Sequence, residues 1–195
     1  MTSDPVPDDL FNGSAVYGPA AYSEQPSDNV HACTPKRELA IVRAFAPIAL
    51  DPSGNAHSTV GAAVEWWGPD APEHRQDGLV ESWSRVLGQH PGIAFCNPPY
   101  GRRIVPWIAK MNAEGAFGAE IVALLPGRFD TKWFRAIRAM QICWYGRRIA
   151  FSDPARVGED SAKFPSVFAY WGCRPLRFVD VFGRHGVVTT WAHNG

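Results

Sequence analysis

The stretch Asn97-Pro98-Pro99-Tyr100 brings together an amide side chain, a carbonyl group between two prolines and a phenol ring. The Asn97 side-chain oxygen and the Pro98 carbonyl are acceptors, and they suit the two N–H bonds of a planar conjugated amine such as the exocyclic amine of adenine. The Tyr100 ring offers a face for such a base, worth about 1–3 kcal/mol in comparable stacks. These residues therefore predict a catalytic clamp for an amine. The alternative is an Asn-Pro turn after a strand, with Tyr100 as ordinary packing.

A short apolar strand positions this clamp. Residues 93–96 read Ile-Ala-Phe-Cys, a β-prone run that is typical of a buried strand. The two prolines cannot continue a strand or a helix, so the regular structure must stop directly after Asn97. Ligands of open α/β sheets bind at the carboxyl ends of the strands. We therefore expect the clamp to face a ligand site.

Further apolar runs predict the rest of a doubly wound α/β sheet. Strands are expected at residues 48–50, 64–67 and 119–125, and helices at 34–45, at 102–114 and after Asp130, the last holding Trp133, Phe134 and Ile137. Residues 140–145, 148–151, 165–171 and 176–191, the last interrupted at 183–186, alternate like strands joined by hairpins. The sequence thus predicts a mostly parallel sheet with an antiparallel C-terminal edge. The polar residues 152–163 are either a mobile loop that closes over the target or a spacer.

The interval before the clamp is short for a complete sheet of this kind. Only 46 positions separate Asp51, at the end of the first predicted strand, from Asn97, and they include a turn signal at Asp77-Gly78. Each complete crossover between parallel strands needs a dozen or more residues besides the strands themselves. We therefore expect one crossover to be reduced to a loop.

Length and composition restrict the class of protein. A chain of 195 residues is enough for one domain with a proper core, which we assign to residues 31–195. Residues 1–30 lack sustained periodicity and predict a flexible arm. No apolar run is long enough to span a bilayer, and the acidic N-terminus does not resemble a signal peptide. The four cysteines and six histidines lack metal-ligand spacing, so we expect free thiols, no metal and a cytoplasmic location.

The net charge is zero, but the charges are unevenly distributed along the chain. Residues 1–80 carry four basic and eleven acidic side chains, whereas residues 81–195 carry fifteen basic and eight acidic ones. The basic half contains the clamp, and its cations near predicted strand ends are Arg102, Arg103, Arg128, Lys132, Arg135, Arg138, Arg147 and Arg148. Such a patch would attract phosphates in a salt-dependent way. The alternative is a solvated surface that pairs with the acidic half.

The clamp resembles the catalytic motif of amino-group methyltransferases that depend on S-adenosylmethionine. The surrounding chain is similar to the small phage-type (Dam-like) DNA adenine-N6 methyltransferases. The landmarks of this resemblance are Thr34-Pro35, Leu50-Asp51-Pro52, Asp77-Gly78-Leu79, Asn97 to Gly101, Pro106-Trp107, Leu124-Leu125-Pro126 with Arg128, Asp130-Thr131 with Trp133-Phe134, Gly146-Arg147 and Phe164-Pro165-Ser166. They cover most of the chain between Thr34 and Trp171.

The resemblance implies a Rossmann-like class I methyltransferase sheet and a set of site residues. It implies catalytic roles for Asn97, Pro98, Pro99 and Tyr100. It implies contacts to S-adenosylmethionine, and to its product S-adenosylhomocysteine, from Thr34, Pro35, Asp51, Pro52, Ser53, Asp77 and Asn97. Helix capping alone would also explain Thr34 and Pro35, because Thr is a favoured N-cap and Pro suits the first helical position. A plain turn at the end of a strand would also explain Asp51. The assignment to the cofactor is weakened because only Gly54 and Gly61 stand where many methyltransferases have a fuller glycine-rich loop.

The implied partner is DNA, with the target base flipped out of the duplex. The predicted contacts to nucleic acid are Arg102, Arg103, Arg128, Lys132, Arg147 and Arg148. Phage or prophage origin, a location in the host cell and a role in guarding DNA from restriction would follow from the resemblance alone. The alternatives are a methyltransferase acting on cytosine, RNA adenine or protein glutamine, and a DNA- or cofactor-binding module without catalysis. The oligomeric state is not predicted.

Overall fold

The structure is a computed structural model that describes residues 33–68, 76–152, 159–161 and 164–191. Its strands are β1 (Ile48–Gly54), β2 (Val64–Trp67), β3 (Ile93–Cys96), β4 (Ile121–Pro126), β5 (Gln141–Tyr145), β6 (Ala150–Ser152), β7 (Glu159–Ser161), β8 (Ser166–Trp171) and β9 (Gly186–Thr190). Its helices are α1 (Lys36–Phe45), α2 (Trp83–Leu87), α3 (Ile104–Ala116), α4 (Lys132–Arg135) and α5 (Pro175–Phe182). A 3-10 turn over Gly101–Arg103 leads into α3.

Seven of the strands form one mixed sheet in the order β2-β1-β3-β4-β8-β5-β9. The first four are parallel to one another, and β8, β5 and β9 join by antiparallel pairing. Because β8 is antiparallel to both β4 and β5, those two strands point the same way. The carboxyl ends of β1, β3, β4 and β5 therefore lie along one edge of the sheet. This arrangement confirms the predicted α/β class with an antiparallel C-terminal part.

The central strands β3, β4 and β8 are buried on both faces, and their alternating side chains supply two separate cores. In β3, Ala94 and Cys96 pack on the side of α2, α3 and α4, whereas Ile93 and Phe95 pack on the side of α1 and α5. The fully buried side chains of β3 and β4 explain why these segments read as continuous apolar runs. The sheet is therefore a central layer between two layers of helices.

The connection between β1 and β2 confirms the expected loop. Residues 55–63 join these two parallel strands without a helix. The next connection, through the described residues 76–92, contains only the short helix α2. The shortage of residues between Asp51 and Asn97 is thus met by removing the helix of the first crossover.

One C-terminal prediction was wrong. The segment from Leu176 to Phe182, expected as a strand, belongs to helix α5, and only β9 beyond it is a strand. Pro175 takes the first turn of that helix, and the four-residue spacing of Phe178 and Phe182 places both rings in the core. The rings stack with centroids 4.2 Å apart. Helical spacing of two aromatic residues therefore overrides the alternation visible around them.

Two helix starts also differ from prediction. The N-cap of α1 is Pro35, not Thr34, and no side chain caps this helix. The N-cap of α4 is Thr131, whose hydroxyl accepts from the Phe134 N–H, so Asp130 lies one residue outside. That helix is a single turn and ends before Ile137. Asp130 and Thr131 both suit a cap, which explains the second difference, whereas the start of α1 is displaced by one residue towards the C-terminus.

Some predicted features fall outside the described residues. The arm at residues 1–30 does, as do positions 153–158 and 162–163 of the predicted loop at 152–163. Residues 159–161 form β7, which pairs with β6 as a separate hairpin. Among the described helices, none is both long and apolar enough to cross a membrane.

Candidate active site

β1 does not end at Asp51 as predicted but continues to Gly54, so Asp51 lies within this strand, whereas Asn97 directly follows the neighbouring strand β3. These strands pair directly, while the chain leaves β1 for β2 on the opposite side of β1. The strand order therefore reverses between β1 and β3. Such a reversal opens a crevice at the strand ends, and open α/β sheets bind their ligands there.

A hollow with an empty volume of about 260 Å³, partly open to solvent, occupies this position. Its walls include Thr34, Asp51, Ser53, Ser58, Thr59 and Asn97. Sites that enclose a whole drug-sized ligand usually measure about 300–1,000 Å³. On that scale the cavity measures about 20 Å³, room for about one water molecule, so a ligand would occupy mainly the part of the hollow that is open to solvent.

Asp51 is the principal charged group of the hollow. Its carboxylate accepts from the Ser53 backbone N–H at 3.1 Å and from the Ser58 hydroxyl at 3.1 Å. Burial raises the pKa of Asp51 to about 7, the neighbouring Glu65 carboxylate adds to the rise, and the hydrogen bond from Ser53 opposes it. A cation in the hollow would favour the ionised form. The site therefore has a carboxyl group suited to an ammonium ligand.

Asn97 is held by a residue far away in the sequence. Its Nδ2 donates to the Thr34 Oγ1 at 3.0 Å. In the described ranges, no donor reaches its Oδ1. The amide thus has an oxygen that can accept a hydrogen bond from a ligand, at the wall of the hollow.

The residues after Asn97 turn sharply away from the strand. Pro98 is buried, and Gly101 has a φ of +75°, a conformation that favours glycine. Tyr100 is half-buried, does not line the hollow, and contacts the Phe151 ring edge-on at 6.1 Å between centroids. Its hydroxyl is buried and has no hydrogen-bond partner in the part of the chain that the structure describes. Burial raises the pKa of this hydroxyl further above its ordinary range.

One family model matches this chain. It is described as DNA N-6-adenine-methyltransferase (Dam), and it covers residues 40–171 of the 195. The chain belongs to the Dam family. Membership indicates a DNA N6-adenine methyltransferase, which confirms the resemblance drawn from the sequence. Neither a curated protein nor a solved structure matches the chain.

The Dam-family match contains Asp51, Asp77 and the segment from Asn97 to Tyr100, whereas Thr34 and Pro35 precede it. The hollow brings Thr34, Asp51, Ser53 and Asn97 together, as expected of neighbouring ligand contacts. Pro35 and Pro52 adjoin these residues in the chain. Pro98, Pro99 and Tyr100 do not line the hollow.

Asp77 lies beside the hollow rather than in it. Its Oδ1 accepts from the Leu79 N–H at 2.8 Å, and its backbone bridges Trp67 of β2. The next residue, Gly78, packs against β1 so closely that an added Cβ would lie 1.9 Å from the Pro52 carbonyl oxygen. Only glycine permits this approach. The Asp77 segment is therefore fixed next to the tip of β1.

The basic residues divide between two edges of the sheet. Six of them follow the carboxyl ends of β3, β4 and β5, on the edge that carries the hollow; they are Arg102, Arg103, Arg128, Lys132, Arg147 and Arg148. Arg138 instead precedes β5 and lies at the opposite end of that strand, so its expected place in the patch was wrong. We call the six residues the basic edge.

Within the basic edge, Arg128 has local partners. It pairs with Asp130 at 3.1 Å and lies 4.8 Å from the centre of the Phe164 ring. The hydrogen bond from Arg128 lowers the pKa of Asp130. Because Arg128 already has a carboxylate partner, a phosphate would have to compete for it. Arg147, in contrast, is exposed and lies two residues after Tyr145, the last residue of β5.

Sequence reasoning missed three residues that shape the site. Glu65 pairs in register with Asp51 on β2 and raises the Asp51 pKa. Ser58 and Thr59 bind Asp51 and the Thr34 carbonyl from the loop. An acid within the second predicted strand was a usable signal for Glu65. No spacing rule marks Ser58 or Thr59, because loop geometry alone brings them to the site.

The structure adds one observation on metals. In the described residues, no group of three or more His, Cys, Asp or Glu side chains is placed to hold an ion. The buried Cys96 and Cys143 and the exposed Cys173 are free thiols. The polar groups of the hollow are therefore carboxyl, hydroxyl and amide groups, which suit an organic ligand.

Proposed function

We propose that this protein transfers a methyl group from S-adenosylmethionine to the exocyclic amine of adenine in DNA. Family membership supports the reaction class. The observation that carries the proposal is that Asp51 and Asn97, from two neighbouring strands, line the same hollow. One residue is suited to a cationic cofactor and the other to an amine, so donor and acceptor of the methyl group would meet there.

The residues around the hollow fit one end of the cofactor. We assign the Asp51 carboxylate to its ammonium group and the hydroxyl-rich wall, with Ser53, to its carboxylate end. Two further acids, Glu65 on β2 and Asp77, lie close to β1. They would accept hydrogen bonds from the nucleoside part of the cofactor, as acids do after the second strand of Rossmann-like sheets. In this proposal the fold is a Rossmann-like methyltransferase sheet that lacks one crossover helix.

When bound, the cofactor would supply an electrophilic methyl group on a sulfonium. The role of the protein is then to orient the amine and exclude water. The Asn97 Oδ1 accepts one N–H of the amine, and the Pro98 carbonyl accepts the other, which fixes the direction of the nitrogen lone pair. Such positioning contributes several kcal/mol when the reacting atoms are held in line.

The basic edge supports a nucleic acid as the substrate. The target base must leave the duplex to reach the hollow, and its unstacking and unpairing cost a few kcal/mol. Phosphate contacts from Arg147 and its neighbours would offset this cost, and so would stacking of the base near Tyr100. A protein-glutamine substrate would need neither group. We therefore favour a flipped adenine over the other planar amines.

Radiolabelled S-adenosylmethionine tests the proposal directly. The protein is incubated separately with duplex DNA, RNA and a glutamine-containing peptide, and labelled DNA is digested to nucleosides. We expect label only in the DNA sample, in N6-methyl-2′-deoxyadenosine. Label in cytosine, RNA or the peptide would change the substrate, and no label with measurable cofactor binding would indicate a binding module.

Asn97→Ala tests the clamp within the same assay. Removing the accepting oxygen should lower kcat by about 100-fold or more, because misplacing a reacting group by about 1 Å costs about that much. The dissociation constant for S-adenosylmethionine should stay within about threefold of the parent value, which serves as the internal control for folding. If Asn97→Ala methylates DNA at the parent rate, the clamp assignment is wrong.

A further inference from the structure

The hydrogen bond between Thr34 and Asn97 joins two parts of the chain that are far apart in sequence. Thr34 lies two residues before helix α1, whereas Asn97 follows β3, and the Asn97 Nδ2 lies 3.0 Å from the Thr34 Oγ1. Both residues line the hollow, and Thr34 is only 3 % exposed. The partner of the amide is therefore a buried hydroxyl within the site itself.

A role in capping does not account for the Thr34 side chain. Threonine before a helix commonly accepts a hydrogen bond from an N–H of the first turn. Here the cap residue is Pro35, and no side-chain hydrogen bond caps α1. The Thr34 hydroxyl is instead directed across the hollow to Asn97.

The loop at residues 55–63 fixes Thr34 from the other side. The Thr59 hydroxyl donates to the Thr34 carbonyl at 3.1 Å, while the preceding Ser58 donates to Asp51. The Ser58 Oγ also accepts from the Val60 N–H at 3.3 Å, which holds the two hydroxyl-bearing residues in place. Thr34 is thus anchored through its own backbone and is free to orient another side chain.

We propose that Thr34 is a positioning residue that orients the Asn97 amide for the incoming amine. This inference rests on the proposed function. An amide has a donor end and an acceptor end, and only the acceptor end can receive an N–H of the substrate. In the structure Nδ2 donates to Thr34, which leaves Oδ1 as the end of the amide that can accept from the substrate. If Thr34 instead contacts the cofactor carboxylate, as the family resemblance implies, loss of its hydroxyl should raise the dissociation constant for S-adenosylmethionine and leave kcat unchanged.

Thr34→Val and Thr34→Ser separate these two roles. Valine keeps the branched shape and removes only the hydroxyl, whereas serine keeps the hydroxyl. If Thr34 orients Asn97, valine should lower kcat by about 10- to 100-fold and leave the dissociation constant for S-adenosylmethionine within about threefold. Serine should retain a kcat close to that of the parent. In an Asn97→Ala background, Thr34→Val should cause little further loss, because the two residues act through one contact.

A spectroscopic measurement tests the contact without any turnover. In the ¹⁵N-labelled protein the Asn97 side-chain NH₂ signals are identified by their disappearance in Asn97→Ala. In the parent, one of these protons should exchange slowly with water because it is held by Thr34. In Thr34→Val we expect exchange that is about tenfold faster. This measurement applies whether or not the protein methylates DNA, so failure of the proposed function and failure of this inference remain distinguishable.

Thr189→Val provides a matched control. The Thr189 hydroxyl lies on β9 at the far edge of the sheet and accepts from the Trp144 Nε1 at 3.1 Å. Its removal deletes this hydrogen bond and the one that the hydroxyl donates to the Ile142 carbonyl at 3.4 Å, but on a strand that is far from the hollow in the strand order. We expect an unchanged kcat and unchanged Asn97 signals. If Thr34→Val does not fold, Thr34→Ala takes its place with the same expectations.

Two results would overturn the inference. The first is a kcat of Thr34→Val at the parent level together with unchanged exchange of the Asn97 protons. The second is a large rise in the dissociation constant for S-adenosylmethionine with an unchanged kcat, which would make Thr34 a cofactor contact. A lower kcat, faster proton exchange and a retained cofactor affinity would together support it.

Discussion

Asp51→Asn should make the protein more stable than the parent, and the advantage should grow as the pH rises from about 4 to 7. Burial raises the pKa of Asp51 from 3.8 to about 7, so between these values the folded protein keeps a proton that the unfolded chain has lost. Stability falls with rising pH wherever the folded state binds more protons than the unfolded state. Asparagine does not titrate, and it can still accept from the Ser53 N–H. The variant therefore avoids this loss.

The magnitude follows from the gap between the two pKa values. Each pH unit corresponds to about 1.4 kcal/mol, so a gap of about three units costs the parent about 4 kcal/mol once Asp51 is fully ionised in both states. At pH 5 only about 1–2 kcal/mol of this loss has accumulated, because the unfolded chain has begun to ionise and the folded protein has not. The advantage of Asp51→Asn should therefore increase by about 2–3 kcal/mol between pH 5 and pH 8.

Urea unfolding of both proteins at pH 5, 6, 7 and 8 measures this difference. Other titrating groups are common to the two proteins, so they cancel in the difference between the free energies of unfolding. Binding of S-adenosylmethionine gives a second readout, since the affinity of the parent should rise with pH through about 7 as the carboxylate ionises. A stability difference that is the same at every pH would show that Asp51 has an ordinary pKa, and the electrostatic account of the hollow would then be wrong.

Two further outcomes follow from neighbouring features. Tyr100→Phe should raise the free energy of unfolding by about 1 kcal/mol and retain methylation, because it removes a buried hydroxyl without a partner in the described residues. A loss of stability in urea unfolding would mean that this hydroxyl has an interaction in solution. Arg147→Ala should reduce the slope of the logarithm of the DNA-binding constant against the logarithm of the salt concentration by about 0.9, which is the change expected for one phosphate contact. Arg138→Ala, at the other end of β5, should leave this slope unchanged. Equal slopes for these two variants would place the DNA elsewhere.

Much of the fold could be predicted because local signals and burial agree. The strands β3 and β4 are buried on both faces, so they are continuous apolar runs, and the prolines after Asn97 fix where β3 ends. The crossover loop followed from simple counting of residues. Helix α5 was mistaken because its Phe178 and Phe182 lie among residues that also alternate, and the tertiary packing of those two rings decides the outcome.

The candidate site was predictable in its parts and not in its connections. Asp51 and Asn97 could be placed because each follows a predicted strand, and strand ends of a parallel sheet share one edge. The hydrogen bond from Asn97 to Thr34 and those from Ser58 and Thr59 link segments that sequence spacing does not relate. The raised pKa of Asp51 likewise depends on burial, which only the assembled sheet creates.

The helix-free crossover has a consequence for how this chain can vary. Surface loops usually accept inserted residues, because little depends on their shape. Residues 55–63 differ, since two of their hydroxyl groups bind Asp51 and Thr34 and so form a wall of the hollow. Lengthening this segment would separate the wall from the strand tips even if the sheet still formed. We therefore expect residues 55–63 not to tolerate insertions that other surface loops would accept.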